Sequence, residues 1–214
     1  MSTFAVVTPS RGLVHSRTVE AVTAAVERAI AAGHVSRGWR FTHDLPIPLC
    51  HETAAEAGLA TGADALWFVE EDVIPPANAL VDLLARPEPI VAIDYPVGEA
   101  PSQNAILHVD GAIWFCALGC TVIRREVFET LERPWFRTDI GIEVTSAGIR
   151  EFPGNYEYGG QDVSFGRRAT LAGFPIGEVP AVVAGHARLR TWGRQQQNDG
   201  AHQVDVLHEI GRYI

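Results

Sequence analysis

One stretch of the chain, residues 65–76, constrains the fold more than any other. Its apolar half, ALWFV, is followed directly by three acids, Glu70, Glu71 and Asp72, and the stretch ends in two prolines. An uninterrupted apolar run between helical patterns is typical of a buried parallel strand. Ligands of open α/β sheets bind beyond the carboxyl ends of the strands, so the three carboxylates stand where a ligand would lie.

These three acids have two interpretations. Carboxylates without a basic neighbour repel one another, and a hard divalent cation relieves that repulsion. The stretch would then be a metal site that holds an anionic ligand. The alternative is a solvated acidic loop after a core strand, and the stretch by itself does not decide between them.

The composition is that of an ordinary globular protein, with 214 residues, of which 47% are hydrophobic and 20% charged. We find no uncharged apolar window of about 18 residues and no basic, apolar leader, so we expect a cytoplasmic protein without a membrane span. The net charge of -9 does not support broad binding to a nucleic-acid backbone. Three cysteines without a CxxC pair predict buried free thiols rather than disulfides or a zinc site.

The first half of the chain alternates strand and helix patterns. The strand patterns lie at residues 4–7, 39–43, 65–69 and 90–93, and the helical patterns lie at 16–32, 51–61 and 77–85. This alternation predicts a parallel sheet covered by helices.

The loop after the first strand is a candidate ligand contact. It contains neither GxGxxG nor GxxxxGK[ST], which excludes a dinucleotide fingerprint and a P-loop. Thr8, Ser10 and Arg11 could contact a base, a ribose or a phosphate. The alternative is a plain surface loop.

The second half of the chain has a different pattern. Two strand patterns joined at Asp110 and Gly111 predict a β-hairpin. Because hairpin material follows the βαβ half, we expect a mixed sheet, with one half for a nucleotide and the other for an acceptor. Val204, Leu207 and Ile210 recur at helical spacing and predict a C-terminal helix.

Three later segments carry candidate functional residues. Two glycines, Gly159 and Gly160, would let the backbone approach a ligand closely. Asp162 follows them near the start of a helix predicted at 166–172, where a carboxylate is favoured and a helix cap is the alternative role. His186 follows the last strand pattern, although a lone histidine is more often structural. The basic segment 187–194 could close over an anion or be a solvated connector.

Taken in order, these segments resemble the GT-A glycosyltransferases, close to the family 2-like group, over roughly residues 3–192. GADALWFVEEDV at 62–73 resembles the DxD region, and GCTVIRREVF at 119–128 with PWF at 134–136 resembles the acceptor-side segment. GGQDV at 159–163, with RRA and GF downstream, resembles the GEDxxFxxRAxxAGF motif. Gly185-His186 is similar to the late metal-binding histidine of the family.

The resemblance implies an α/β fold of the GT-A type. This is a Rossmann-like mixed sheet with helices on both faces, a nucleotide-binding half at about 1–95 and an acceptor-binding half at about 96–186. A single domain would span 1–194, followed by a helical tail at 195–214.

The resemblance also implies a metal-dependent, inverting transfer from a nucleoside-diphosphate sugar. Asp72 and His186 would bind Mn²⁺ or Mg²⁺, which accept oxygen and imidazole ligands. Asp162 would be the general base for the acceptor hydroxyl. The predicted substrate contacts, from the residues and the resemblance together, are Thr8, Ser10, Arg11, Glu70, Glu71, Gly159, Gly160, Gln161, Arg188, Arg190 and Trp192.

The chain also departs from the family pattern. Gln161 stands where Glu usually precedes the catalytic Asp, and His51-Glu52 stands where Arg-Asn is common. The QxxRW motif of processive synthases is missing, which favours a single transfer. Two other functions stay open, a sugar-nucleotidyltransferase and a non-catalytic binding module on the same fold. The acceptor could be a glycan, a lipid-linked sugar, a small molecule, a protein or a modified nucleobase.

Overall fold

A computed structural model describes residues 1–10, 12–43, 45–97, 104–145, 148–154, 160–192 and 203–210. The helices are α1 (Ser16–Ala31), α2 (Leu49–Leu59), α3 (Ala79–Ala85), α4 (Arg125–Thr130) and α5 (Gln161–Leu171). The strands are β1 (Thr3–Thr8), β2 (Val35–Phe41), β3 (Ala65–Val69), β4 (Val73–Ile74), β5 (Ile90–Asp94), β6 (Ile106–Val109), β7 (Ala112–Cys116), β8 (Cys120–Arg124), β9 (Ile140–Thr145), β10 (Gly148–Pro153), β11 (Ile176–Val183), β12 (Gly185–Trp192) and β13 (Gln203–Ile210).

A six-stranded sheet in the order β11-β5-β8-β3-β1-β2 forms the centre of the fold. Strands β2, β1 and β3 are parallel, and β11 is parallel to β5. Strand β8 lies between β3 and β5 and is antiparallel to both. The predicted mixed sheet is therefore confirmed. The five residues of β3 are all buried because both faces of the sheet are covered.

Helices cover both faces of this sheet, as the sequence predicted. Alternate residues of a strand point to opposite faces, so β1 supplies Phe4 and Val6 to one core and Ala5 and Val7 to the other. The first core contains buried residues of α1 and α3, and the second contains buried residues of α2, α4 and α5.

Three smaller sheets complete the described part of the chain. The predicted hairpin is β6 and β7, which turns at Asp110 and Gly111 with positive φ at both residues, as the tightest hairpin turns require. Strands β9 and β10 form a second antiparallel pair. Strand β12 pairs with both β4 and β13.

Two predictions for the C-terminal part are wrong. Within residues 198–214, β13 is a strand rather than part of a helix, and it pairs antiparallel with β12. The segment predicted as a connector or closing loop at 187–194 contributes most of β12. A short apolar pattern fits either element, and the partner strand decided for β structure.

The start of α5 also differs from the prediction. The helix begins at Gln161 rather than at residue 166, with Gly160 as its N-cap in the left-handed region at φ 78°. Asp162 therefore lies within the first turn of the helix.

A buried carboxylate on α2 fixes the segment that follows α4. Glu52, which is 8% exposed, accepts hydrogen bonds from the backbone N–H groups of Trp135 (2.8 Å) and Phe136 (3.2 Å). The guanidinium of Arg133 also donates to Glu52 at 3.0 Å. This carboxylate therefore holds the PWF segment against the sheet, where Trp135 and Phe136 are buried.

Replacing Glu52 by alanine is expected to lower the free energy of unfolding by about 3 kcal/mol, because the buried N–H groups of Trp135 and Phe136 both donate to one oxygen of this carboxylate and would lose their acceptor. Urea denaturation measures this. Glu56→Ala is the matched control, because Glu56 lies on the same helix, contacts the same Arg133 and is 45% exposed. Its effect should stay within about 0.5 kcal/mol. Equal losses from the two substitutions would contradict the anchoring role of Glu52.

The three cysteines, Cys50, Cys116 and Cys120, are free and buried, as the sequence predicted. Burial raises the pKa of the Cys116 and Cys120 thiols to about 12 in each case.

In the part of the chain that the structure describes, no helix combines the length and the apolar composition needed to cross a membrane.

Candidate functional site

The acidic stretch follows the buried strand β3 and leads into the short strand β4. The partner strand of β4 could not be predicted from the local sequence. After Glu70, Glu71 and Asp72, the short strand β4 pairs with the start of β12, where Val73 lies opposite His186. The backbone N–H of Ala187 donates to the carbonyl of Asp72 at 2.7 Å. The pairing therefore places His186 beside Asp72, although 114 positions separate them in the sequence.

The side chains of Asp72 and His186 meet at this pairing. Nε2 of His186 lies 3.3 Å from Oδ2 of Asp72, and Nδ1 of His186 lies 2.7 Å from the carbonyl oxygen of Pro96. A carbonyl only accepts, so Nδ1 carries a proton and a neutral ring has its lone pair on Nε2. The ring of Tyr95 packs edge-on at 5.6 Å and its hydroxyl accepts from the N–H of Gly119, so His186 is held in place.

The pKa of His186 reflects this setting. Burial alone would lower the pKa, but the Asp72 carboxylate, the Pro96 carbonyl and the charge of Glu70 together raise it. A proton and a metal cation would compete for Nε2, because only the deprotonated nitrogen is a ligand.

These two side chains fit a divalent cation. Two ligand atoms that each lie about 2.1 Å from Mg²⁺ at octahedral angles are about 3 Å apart, close to the 3.3 Å observed. A ligating histidine also donates its other N–H to a carbonyl or carboxylate, as Nδ1 does here. No cluster of three or more His, Cys, Asp or Glu side chains within the described ranges could hold a metal. Asp72 and His186 are therefore the two candidate metal ligands in the described part of the site.

A pocket of about 140 Å³ opens beside this pair. Acidic and imidazole groups dominate its lining, and the lining residues are Pro9, Ile47, Cys50, His51, Glu70, Glu71, Asp72 and His186. Three of the predicted site residues at the end of β3 thus face one pocket together with the predicted histidine.

His51 is a pocket residue that the sequence analysis did not assign to the site. It lies on α2, is 1% exposed, and packs against the rings of Phe68 and Phe136 at centroid distances of 6.4 and 5.5 Å. Burial alone would lower its pKa, but Cys50 and the carboxylate of Glu70 outweigh this and raise the pKa to about 9. The available sequence signal was a histidine on the helix face that also carries the buried Ala54 and Ala55.

The predicted contacts Thr8 and Ser10 are engaged within the protein. Thr8 is buried and its hydroxyl accepts from the indole N–H of Trp39 at 2.8 Å. The Ser10 hydroxyl, also buried, lies 3.0 Å from a carboxylate oxygen of Glu71. These bonds hold the loop that contributes Pro9 to the pocket lining, and a direct substrate contact by either residue stays a prediction.

Asp162 lies in the first turn of α5 and is not among the residues that line this pocket. Its pKa is raised to about 6, by burial first and then by the negative charge of Glu70, while the N–H of Val163 and the charge of His51 act in the opposite direction. The carboxyl is therefore close enough to Glu70 and His51 for their charges to act on it. A base with a pKa near the working pH is suited to remove a proton from a hydroxyl.

The other predicted contacts are placed only in part. Gln161 is 6% exposed, and its Oε1 has no hydrogen-bond partner within the described part of the chain. Arg188, Arg190 and Trp192 lie on β12, of which the backbone is described here. Arg11 and Gly159 lie outside the described residues.

Solved structures share this architecture. The chain is 18% identical to A197 from STIV, with a TM-score of 0.57 over 100% of this chain and 98% of that chain. It is 14% identical to the catalytic domain of Drosophila beta1,4galactosyltransferase 7 in complex with xylobiose, with a TM-score of 0.52 over 85% of this chain and 66% of that chain. A mutant of the Drosophila enzyme in complex with manganese, UDP-Gal and xylobiose gives the same values.

No protein-family model matches the chain, and the search of curated proteins returned no match. At 14 and 18% identity, the structural likenesses show a common fold and nothing more. The predicted GT-A architecture, a mixed sheet with helices on both faces, is confirmed, and its structural neighbours include glycosyltransferases.

Proposed function

We propose that this chain is a metal-dependent glycosyltransferase that moves a sugar from a nucleoside-diphosphate sugar to an acceptor hydroxyl and inverts the anomeric centre. The observation that carries the proposal is the Asp72–His186 pair, with 3.3 Å between Nε2 and Oδ2, at the end of β3. The fold shared with known glycosyltransferases supports it.

Asp72 and His186 would hold Mn²⁺ or Mg²⁺ at the donor end of the pocket. The Pro96 carbonyl and the Tyr95 ring orient the imidazole so that Nε2 faces Asp72. A cation bound there would neutralise negative charge on the departing diphosphate.

Asp162 would remove the proton from the acceptor hydroxyl. As the hydroxyl oxygen forms its bond to the anomeric carbon, the bond from that carbon to the diphosphate oxygen breaks and the diphosphate leaves with the bonding electrons. The proton ends on the Asp162 carboxylate. A single displacement from the side opposite the leaving group inverts the configuration.

A test of this function is the release of nucleoside diphosphate from UDP-, GDP-, CDP- and dTDP-sugars, with water as the acceptor in the first assays. We expect the sugars of one nucleotide series to be cleaved in the presence of Mn²⁺ and not in the presence of EDTA. Asp72→Asn should reduce cleavage with Mn²⁺ as much as EDTA does. If no series is cleaved and none binds, the transferase proposal is wrong and a non-catalytic module accounts better for the fold. If a sugar phosphate and a nucleoside triphosphate condense instead, the chain is a nucleotidyltransferase.

The pH dependence of kcat/KM should report Asp162. A base must be deprotonated, so kcat/KM should fall as the pH falls through about 6, the raised pKa of Asp162, by about tenfold per pH unit well below it. The profile is measured at saturating Mn²⁺, since protonation of His186 lowers metal affinity in the same direction. If the fall in kcat/KM at low pH shifts with Mn²⁺ concentration, the titrating group is His186 rather than Asp162.

A further inference from the structure

The pocket contains one buried polar atom that the proposed mechanism does not use. Nε2 of His51 makes no hydrogen bond to any described residue, although the side chain is 1% exposed and lines the pocket. The other ring nitrogen, Nδ1, lies 3.4 Å from Sγ of Cys50. Its ion-pair partner, Oε1 of Glu70, lies 3.6 Å from Nε2. A buried N–H without an acceptor at hydrogen-bond distance costs about 1–3 kcal/mol, so its persistence beside a pocket points to a ligand.

The surroundings hold His51 in one orientation. The rings of Phe68 and Phe136 pack against the imidazole, and Cys50 lies against its Nδ1 edge. The raised pKa favours the imidazolium form, in which both nitrogens carry a proton. Nε2 is then an N–H donor with a fixed direction.

An acceptor lies beside this donor. Oε1 of Glu70 is 3.6 Å from Nε2 of His51, which is too far for a hydrogen bond. Glu70 is 29% exposed and also lines the pocket. A donor and an acceptor set side by side at this distance match two neighbouring hydroxyl groups on one ring, one of which accepts while the other donates.

We propose that His51 and Glu70 together bind adjacent hydroxyls of a sugar ring in the donor, with Nε2–H of His51 donating to one oxygen and Glu70 accepting from the other. This assignment rests on the proposed function, because it takes a nucleoside-diphosphate sugar as the ligand. It makes His51 a residue that sets specificity for a ring with a free diol.

Both the transferred sugar and the nucleotide ribose carry such a diol. The charges of His51 and Glu70 both act on Asp162. The pair is therefore within electrostatic reach of the predicted base, which acts beside the transferred ring. Comparing the binding of the nucleoside diphosphate alone with the binding of its sugar ester shows whether the ribose or the transferred sugar is the ring that is recognised.

The test is calorimetric binding, with Mn²⁺, of the nucleoside diphosphate that wild type prefers among UDP, GDP, CDP and dTDP, and of its glucose, galactose and mannose esters. His51→Phe keeps a ring between Phe68 and Phe136 but removes the N–H groups, and His51→Gln keeps an amide donor. The matched control is His108→Phe, since His108 is a half-exposed surface histidine paired with Glu178.

We expect His51→Phe to weaken binding by about 10- to 100-fold, as expected for one hydrogen bond to a charged group. His51→Gln should lose less binding affinity than His51→Phe, and His108→Phe should bind as wild type does. A loss confined to the sugar ester assigns the transferred ring, and an equal loss for the nucleoside diphosphate assigns the ribose. Deoxy analogues that lack one hydroxyl of the diol should weaken binding to wild type by a similar factor, and this arm needs no variant to fold.

Two results would overturn the proposal. If His51→Phe binds every ligand like wild type while binding stays metal-dependent, His51 has no part in recognition and the proposed function stands. If wild type binds no nucleotide or nucleotide sugar, the proposed function falls and this inference falls with it.

Discussion

Replacing Asp162 by asparagine is expected to lower kcat by about 10² to 10⁴-fold, which is the range that a positioned general base contributes. Asparagine keeps the shape of the side chain and can still accept from the N–H of Val163, which lies 2.8 Å from Oδ1 of Asp162. It cannot take a proton from an acceptor hydroxyl. Binding of the donor should change little, because the Asp72–His186 pair is intact. The measurement is kcat with a saturating donor, beside the donor Kd by calorimetry.

Asp110→Asn is the matched control for Asp162→Asn. Asp110 lies in the exposed turn between β6 and β7, where its φ of 50° is a conformation that asparagine also tolerates. Its kcat should equal that of wild type. If Asp162→Asn keeps more than about a tenth of the wild-type kcat, Asp162 is not the base. A loss of donor affinity equal to the loss of kcat would instead show that Asp162 binds the donor.

Replacing Asp72 by asparagine is expected to remove metal-dependent nucleotide binding. Loss of an outer-shell partner of a metal ligand costs about 10 to 100-fold in affinity, so loss of a ligand itself should cost at least about 100-fold. With Asp72 neutral, His186 would be the one remaining protein ligand predicted for the cation. The measurement is the Kd of the preferred nucleoside diphosphate with Mn²⁺ and with EDTA.

The Asp72 prediction also separates a metal site from a solvated acidic turn. The Asp110→Asn control should bind as wild type does. If Asp72→Asn keeps the Mn²⁺-dependent part of the affinity, the cation is held elsewhere and the assignment of Asp72 and His186 is wrong. His186→Gln should reproduce the Asp72→Asn result if the two side chains share one cation.

Local sequence patterns were sufficient to predict most elements of the first half of the fold and the first hairpin of the second half. The apolar run that forms β3, the helical spacing of α1 and the Asp-Gly turn between β6 and β7 each depend on residues close in sequence. Pattern and structure agree there because propensity, burial and turn chemistry favour the same element. The acidic end of β3 could be placed at a ligand edge for the same reason, since a parallel sheet exposes the carboxyl ends of its strands together.

Long-range pairing explains what the sequence did not show. Strand β4 has two residues and no signal of its own, and it exists because β12 runs beside it. That pairing brings His186 to Asp72, whereas the sequence could place the two together only through a family resemblance. Strand β13 was predicted as a helix because Val204, Leu207 and Ile210 recur at helical spacing, and its ladder with β12 overrides that local signal.

His51 was missed for a related reason. Its side chain faces a pocket that forms only when α2 packs beside the ends of β1 and β3, and a helical histidine carries no such information by itself. Its neighbour Glu52 was grouped with it as one departure from the family pattern. The structure gives the two residues separate environments, since His51 lines the pocket and Glu52 holds the PWF segment.

The measurement that tests the central claim most directly is calorimetric titration of wild type with UDP, GDP, CDP and dTDP, each with Mn²⁺ and with EDTA. We predict that one diphosphate binds with Mn²⁺, that EDTA abolishes the binding, and that Asp162→Asn retains it while Asp72→Asn loses it. Binding that is unaffected by EDTA, or the absence of binding for all four diphosphates, would contradict a metal-dependent donor site at Asp72 and His186.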